Sequence, residues 1–122
     1  MELIVLGRDF TVCKIHSIAE ADLSGEYVFV AKTDDEVSLV CETRYTPQNA
    51  VAVETGWKAL KIAGTLDFGM VGVISRITGI LAQAELSVFV VSTYNTDYIL
   101  VKASILEKCL DLLETNDYMI QR

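Results

Sequence analysis

The chain has 122 residues, 52% of them apolar, with ten basic and seventeen acidic residues and a formal net charge of −7. That apolar share is ample for a buried core and argues against disorder, and the length suits one domain or two very small ones. The basic residues are scattered, which argues against a nucleic-acid groove or an anionic membrane surface, since both need clustered cations.

Met1–Gly7 lacks a basic n-region, no apolar run approaches the roughly 18 residues of a membrane span, and no membrane role is expected. Cys13, Cys41 and Cys109 are odd in number and far apart, so a disulfide framework is not expected and the simplest compartment is the reducing cytoplasm.

In chain order, Leu3–Leu6 is a short apolar run, Gly7-Arg8-Asp9 a turn, and Phe10–Ile15 alternates like a half-buried strand. His16–Leu23 supports a turn or two of helix at most. Tyr27–Ala31 and Val37–Cys41 read as strands around a turn at Thr33–Glu36, and Thr46–Asn49 is a loop holding the only proline. Thr55-Gly56 marks the expected boundary between a first half, residues 1–56, and a second, residues 57–122. Leu60–Gly64 is a strand broken by the turn Thr65–Gly72. From Met70, the residues Val73, Ile74, Ile77, Ile80, Leu81 and Ala84 recur at helical spacing. Leu86–Thr93 and Asp97–Ala103 form a hairpin turned at Tyr94-Asn95-Thr96. Ser104 is the expected cap of a helix from Ile105 to about Glu114, with Glu107 completing a capping box. Asn116 closes it and Tyr118-Met119-Ile120 is a last strand.

Val28-Phe29-Val30-Ala31-Lys32-Thr33 echoes Val88-Phe89-Val90-Val91-Ser92-Thr93, and the residues after each turn also correspond. Two hairpins of one design suggest a duplicated unit. Residues 57–122 read β-α-β-β-α-β, a ferredoxin-like α+β unit of four antiparallel strands with both helices on one face, and the first half is a degenerate copy with a shrunken helix. Both hairpin strands are apolar on both sides, so the second face or a sheet edge must meet the first half of the chain or another subunit, and pairing as a homodimer is expected.

Two turns carry ionisable groups. Asp67-Phe68-Gly69-Met70-Val71-Gly72 leads into a helix N-terminus, where Gly69 and Gly72 allow close approach and unpaired N–H groups suit a carboxylate. Capping of the helix by Asp67 is the simpler reading of the same residues. Asp97 opens a strand opposite Thr93 and could pair with an ammonium, or Asn95 and Asp97 could merely bond the local backbone. Asp34-Asp35-Glu36 reads as a solvated loop, and His16 lies far from any two cysteines, so no metal is expected. No phosphate-cradling glycine motif is present and no cofactor is expected. The three cysteines fall on apolar faces and read as inert core, while Trp57 and Tyr94 could anchor an interface or the core.

The β-α-β-β-α-β unit with its Asp67-Phe68-Gly69 turn resembles the ACT domain. The stretches Phe10–Ile15, Val28–Cys41, Gly56–Leu60, Gly64–Gly72 and above all Ser92–Val101 are similar to tandem ACT-type amino-acid-sensing proteins, among them cytosolic arginine sensors and small bacterial relatives. The resemblance implies a non-catalytic regulatory module whose amino-acid effector sits at the seam between paired ACT units. It implies ligand contact at Asp67, Phe68, Gly69, Met70, Val71 and Asp97, with Thr93, Asn95 and Thr96 as wall residues, and a regulated protein partner downstream. The alternative is a scaffold with a vestigial pocket that works through its interaction surface.

Overall fold

The computed structural model describes residues 1–122, with eight strands and two α-helices. In order they are β1 (Glu2–Val5), β2 (Phe10–Ile15), β3 (Val28–Lys32), β4 (Val37–Glu42), β5 (Ala52–Ile62), α1 (Val73–Gln83), β6 (Phe89–Ser92), β7 (Asp97–Lys102), α2 (Leu106–Thr115) and β8 (Met119–Gln121). The chain divides into two units: Met1–Gly7 with Lys58–Arg122, and Arg8–Trp57.

In the first unit Leu60 and Ile62 of β5 and Ile99 and Val101 of β7 alternate onto one face of the sheet. They pack against Ile77 and Leu81 of α1 and Cys109, Leu110 and Leu113 of α2, all fully buried. This is the helix-covered α+β layer that the apolar periodicity requires. Tyr98 and Leu100, on the opposite side of β7, are also buried, as the two-sided apolar pattern of that strand demands.

The sheet departs from the four antiparallel strands expected. β1 pairs antiparallel with β5, Leu3 opposite Ile62, and parallel with β8, Leu3 opposite Ile120. The order is β8-β1-β5-β7-β6, five strands with one parallel pair. Met1–Gly7 therefore belongs with the C-terminal unit and not with the first half of the chain. The physical reason is a fully buried Leu3 in the core beneath α1 and α2, a contact between residues nearly sixty positions apart.

Both helices start later than their apolar periodicity suggests. Met70 N–H donates to the Asp67 carbonyl at 2.9 Å, so the segment after Asp67 closes a turn, and α1 begins only after Gly72, whose φ is +76°. Ser104 lies inside a single 3-10 turn, Ala103–Ile105, and does not cap α2. Glu107 is instead held by Arg122 at 2.8 and 2.9 Å. Asn116 does close the helix, its Nδ2 donating to the Leu112 carbonyl at 2.8 Å. The strand expected from Leu86 shortens to Phe89–Ser92.

The second unit has the strand order β3-β4-β2, with the first half of β5 beside β2. Its small core is Cys13, Ile15, Leu39 and Cys41. In place of a first helix it has one 3-10 turn, Ile18–Glu20. The Glu20 carboxylate accepts the N–H groups of His16 at 2.6 Å and Ser17 at 3.1 Å, tying off the segment before a helix develops. Strand β5 continues through Thr55-Gly56 without a break. Phe10 faces Trp57 and Val12 faces Glu54, so one extra residue bulges there, and Gly56 at φ +81° supplies it. No helix in the structure is long and apolar enough to cross a membrane.

Candidate functional site

Two turns of the first unit face each other across a cavity of about 250 Å³. One is the loop after β5. Asp67 Oδ1 accepts the Gly69 N–H at 2.8 Å, an Asx-turn that folds the loop back on itself. Asp67 is thus not the helix cap that its position suggests. Gly72 occupies that place and has no side chain to offer, so the first N–H groups of α1 have no side-chain partner.

The other is the β6–β7 hairpin. Thr93 donates its N–H and its hydroxyl to the Thr96 carbonyl, both at 2.9 Å, and Ser92 pairs with Asp97. The turn is held by Thr93 and not by the side chains of Asn95 or Asp97, which sequence reasoning considered for that task. Thr33 does the same work in the β3–β4 hairpin, its N–H meeting the Glu36 carbonyl at 2.9 Å and its hydroxyl the same atom at 3.4 Å. The echo in sequence is therefore an echo in hydrogen bonding.

Two bonds tie the hairpin down, one to β5 and one to the loop after it. The buried Thr96 hydroxyl donates to the Ile62 carbonyl at 2.8 Å, and Leu66 N–H donates to the Asn95 carbonyl at 2.7 Å. These links hold the hairpin over the end of β5, so that Asp67 and Asp97 line one cavity. Phe68, Met70, Thr93, Asn95 and Thr96 line it as well. Gly69 and Val71 do not: Gly69 serves the Asx-turn, and Val71 is 93% exposed.

Gly72, in the candidate turn, lines the cavity as expected, whereas sequence reasoning missed Leu66, Val73, Ile74, Ser92 and Tyr94 as wall residues. The signal for Val73 and Ile74 was a helix beginning just beyond the loop. Their apolar spacing pointed only to the core, yet the first helical turn is half-exposed at this cavity. Tyr94 is 80% exposed and stands edge-to-face with Phe68, their ring centroids 5.1 Å apart, so it is not a core anchor.

Chemically the cavity offers two carboxylates, hydroxyl groups and an apolar wall. No group of three or more metal-binding side chains comes together anywhere in the chain. The cysteines are buried thiols, with Cys41 pushed up to about 11, first by burial and then by neighbouring Cys13.

Residues 52–115, just over half of the chain, match the ACT domain family. The chain belongs to that family. Its ACT region takes in β5, α1, the hairpin and α2, and therefore the whole cavity. The solved structure of protein Atu0741 from Agrobacterium tumefaciens is similar at 32% identity and a TM-score of 0.87, over 98% of this chain and 90% of that one. VC0802 from Vibrio cholerae shares the fold at 19% identity and a TM-score of 0.75, over 91% of this chain and 85% of that one. The regulatory subunit of aspartate kinase from Thermus thermophilus shares it at 6% identity and 0.66, over 93% and 95%. No curated protein sequence is significantly similar.

Proposed function

We propose that this ACT protein is a non-catalytic regulatory module that binds a free amino acid in the cavity between the Asp67–Gly72 loop and the Thr93–Asp97 hairpin. The observation that carries the reading is the shared cavity itself, with one aspartate from each turn in its wall. Family membership and the fold shared with an aspartate kinase regulatory subunit support a regulatory amino-acid-binding role. The ligand carboxylate would meet the N–H groups at the start of α1, where the helix dipole favours negative charge. Asp97 would take the ammonium through charge-assisted hydrogen bonds. A volume of 250 Å³ lies below the roughly 300–1,000 Å³ of drug-sized sites and suits one amino acid.

The mouth is apolar and open. Phe68 is 78% exposed and Tyr94 80%. We read this rim as the seam of a homodimer in the cytoplasm, whose closure over the ligand would alter a surface that a partner protein reads. The same rim favours the second reading, a scaffold that docks a partner and binds no metabolite.

A thermal-shift screen of the twenty amino acids separates the two. A ligand at about 100 times its dissociation constant stabilises the folded chain by about 2.7 kcal/mol, a shift that Asp97→Ala removes while the unliganded midpoint stays put. A flat response to all twenty, with a protein partner still captured, would select the scaffold.

A further inference from the structure

The two units share one plan, and the second lacks a part of it. In the first unit Leu60, Ile62, Ile99 and Val101 pack against α1 and α2. Leu39 and Cys41 stand sixty positions before Ile99 and Val101, on a strand of equal length that leaves a hairpin bonded in the same way. With Cys13 and Ile15 they form the matching face of the second unit. That unit contains no α-helix. The residues from outside its strands that pack on the face are two small ones, Ala21 and Ala50.

Such thin cover leaves apolar surface in water. Pairing sets Val30 opposite Leu39, Leu39 opposite Cys13 and Cys13 opposite Val53, one row across four strands. The middle of the row is buried, yet Val30 and Val53 at its ends are exposed. Ile18 and Leu23, on the segment that carries Ala21, are exposed as well. Apolar side chains gathered around one face mark an interaction surface, which isolated ones do not.

The first unit shows what fits such a face: an amphipathic helix of ten or eleven residues. Charge narrows its source. Residues 8–57 hold nine acidic and four basic residues, so five of the seven excess negative charges belong to this unit. At the β3–β4 hairpin the exposed Asp34, Asp35 and Glu36 outweigh the exposed Lys32. A second copy is a poor donor, because α1 and α2 already bury their apolar stripes and its charge has the same sign. We propose that this face docks a helix of a partner protein, apolar on one side and basic on the other. The docking is independent of any ligand in the cavity of the first unit.

The test titrates three 11-residue peptides, the length of α1, into the intact chain and follows fluorescence anisotropy. The first sets leucines at helical spacing with lysines between them. The second scrambles that order, and the third replaces each lysine with glutamate. The first is expected to bind and to gain helical circular dichroism, since so short a peptide is not helical alone. The other two are expected to bind about tenfold more weakly or not at all.

Val30→Ser combined with Val53→Ser should weaken the first peptide about tenfold, through lost apolar contact. Leu23→Ser tests the same face without touching the sheet and should weaken it severalfold. Met119→Ser in the first unit, 67% exposed against 68% for Leu23, should leave it unmoved. Equal binding of the scrambled or the glutamate peptide overturns the proposal. So does binding that Leu23→Ser and the double variant leave unchanged, and so does no binding by any of the three.

Discussion

At the scale of single residues, two buried polar groups each hold a turn in place. Thr96 is 3% exposed, and its hydroxyl bond to the Ile62 carbonyl fixes the hairpin relative to β5. Glu42, also 3% exposed, accepts the N–H groups of Glu26 at 2.7 Å and Tyr27 at 3.1 Å and meets Arg8 Nε at 3.2 Å. The Tyr27 N–H, then the Glu26 N–H and the Arg8 charge, hold its carboxyl below the usual carboxylate range. A depressed folded value means that the ionised form stabilises the native state. That contribution is full above the unfolded carboxyl value, about 4.3, and is lost as pH falls through the folded one. In urea unfolding, Glu42→Gln should cost about 2 kcal/mol at pH 7 and should narrow its gap to the wild type as pH drops below about 4. A gap that stays constant across that range would assign Glu42 a packing role only.

At the scale of elements, local signals located the strands and helices but not their ends. The spacing of Met70, Val73, Ile77 and Leu81 is helical throughout, yet the helix waits for Val73 because Asp67 and Gly69 close a turn first. Ser104 and Glu107 have the spacing of a capping box, yet a 3-10 turn intervenes and Arg122 takes the glutamate. Thr55-Gly56 has the composition of a boundary, and the division between the two units does fall beside it, at Trp57/Lys58, yet the chain crosses that point inside an 11-residue strand with a bulge. A β-carbon at Gly56 would meet nothing within 4 Å, so the cost of Gly56→Ala is conformational. It should destabilise the chain by about 1–2 kcal/mol, the penalty of the left-handed region, read as a lower urea midpoint at unchanged slope. A neutral substitution would mean that the bulge is not needed for pairing β2 with β5.

At the scale of the whole molecule, the net charge of −7 bears on association. Two copies repel one another at long range, so the proposed pairing must rely on apolar area at the rim. Salt shortens the screening length from about 8 Å at 0.15 M to about 3 Å at 1 M and should tighten the dimer. Light scattering at the two ionic strengths checks this. Dimers that dissociate as salt rises would point to ion pairs at the seam, and a monomer at both would remove the pairing.

The residue order determined by itself the α+β class, the doubled hairpin, the ACT resemblance and the two turns that carry Asp67 and Asp97. Each of these is written in periods and motifs a few residues long, where side-chain chemistry acts on its own neighbourhood. The tertiary structure alone decided that β1 lies between β5 and β8, that the two turns share one cavity, and that Val71 points away while Val73 and Ile74 form its wall. Those outcomes depend on hydrogen bonds and burial between residues that are distant in sequence, such as Thr96 with Ile62 and Leu3 with Ile62. No local pattern encodes such a partner, because many pairings satisfy the same periodicity and only the packed core selects one.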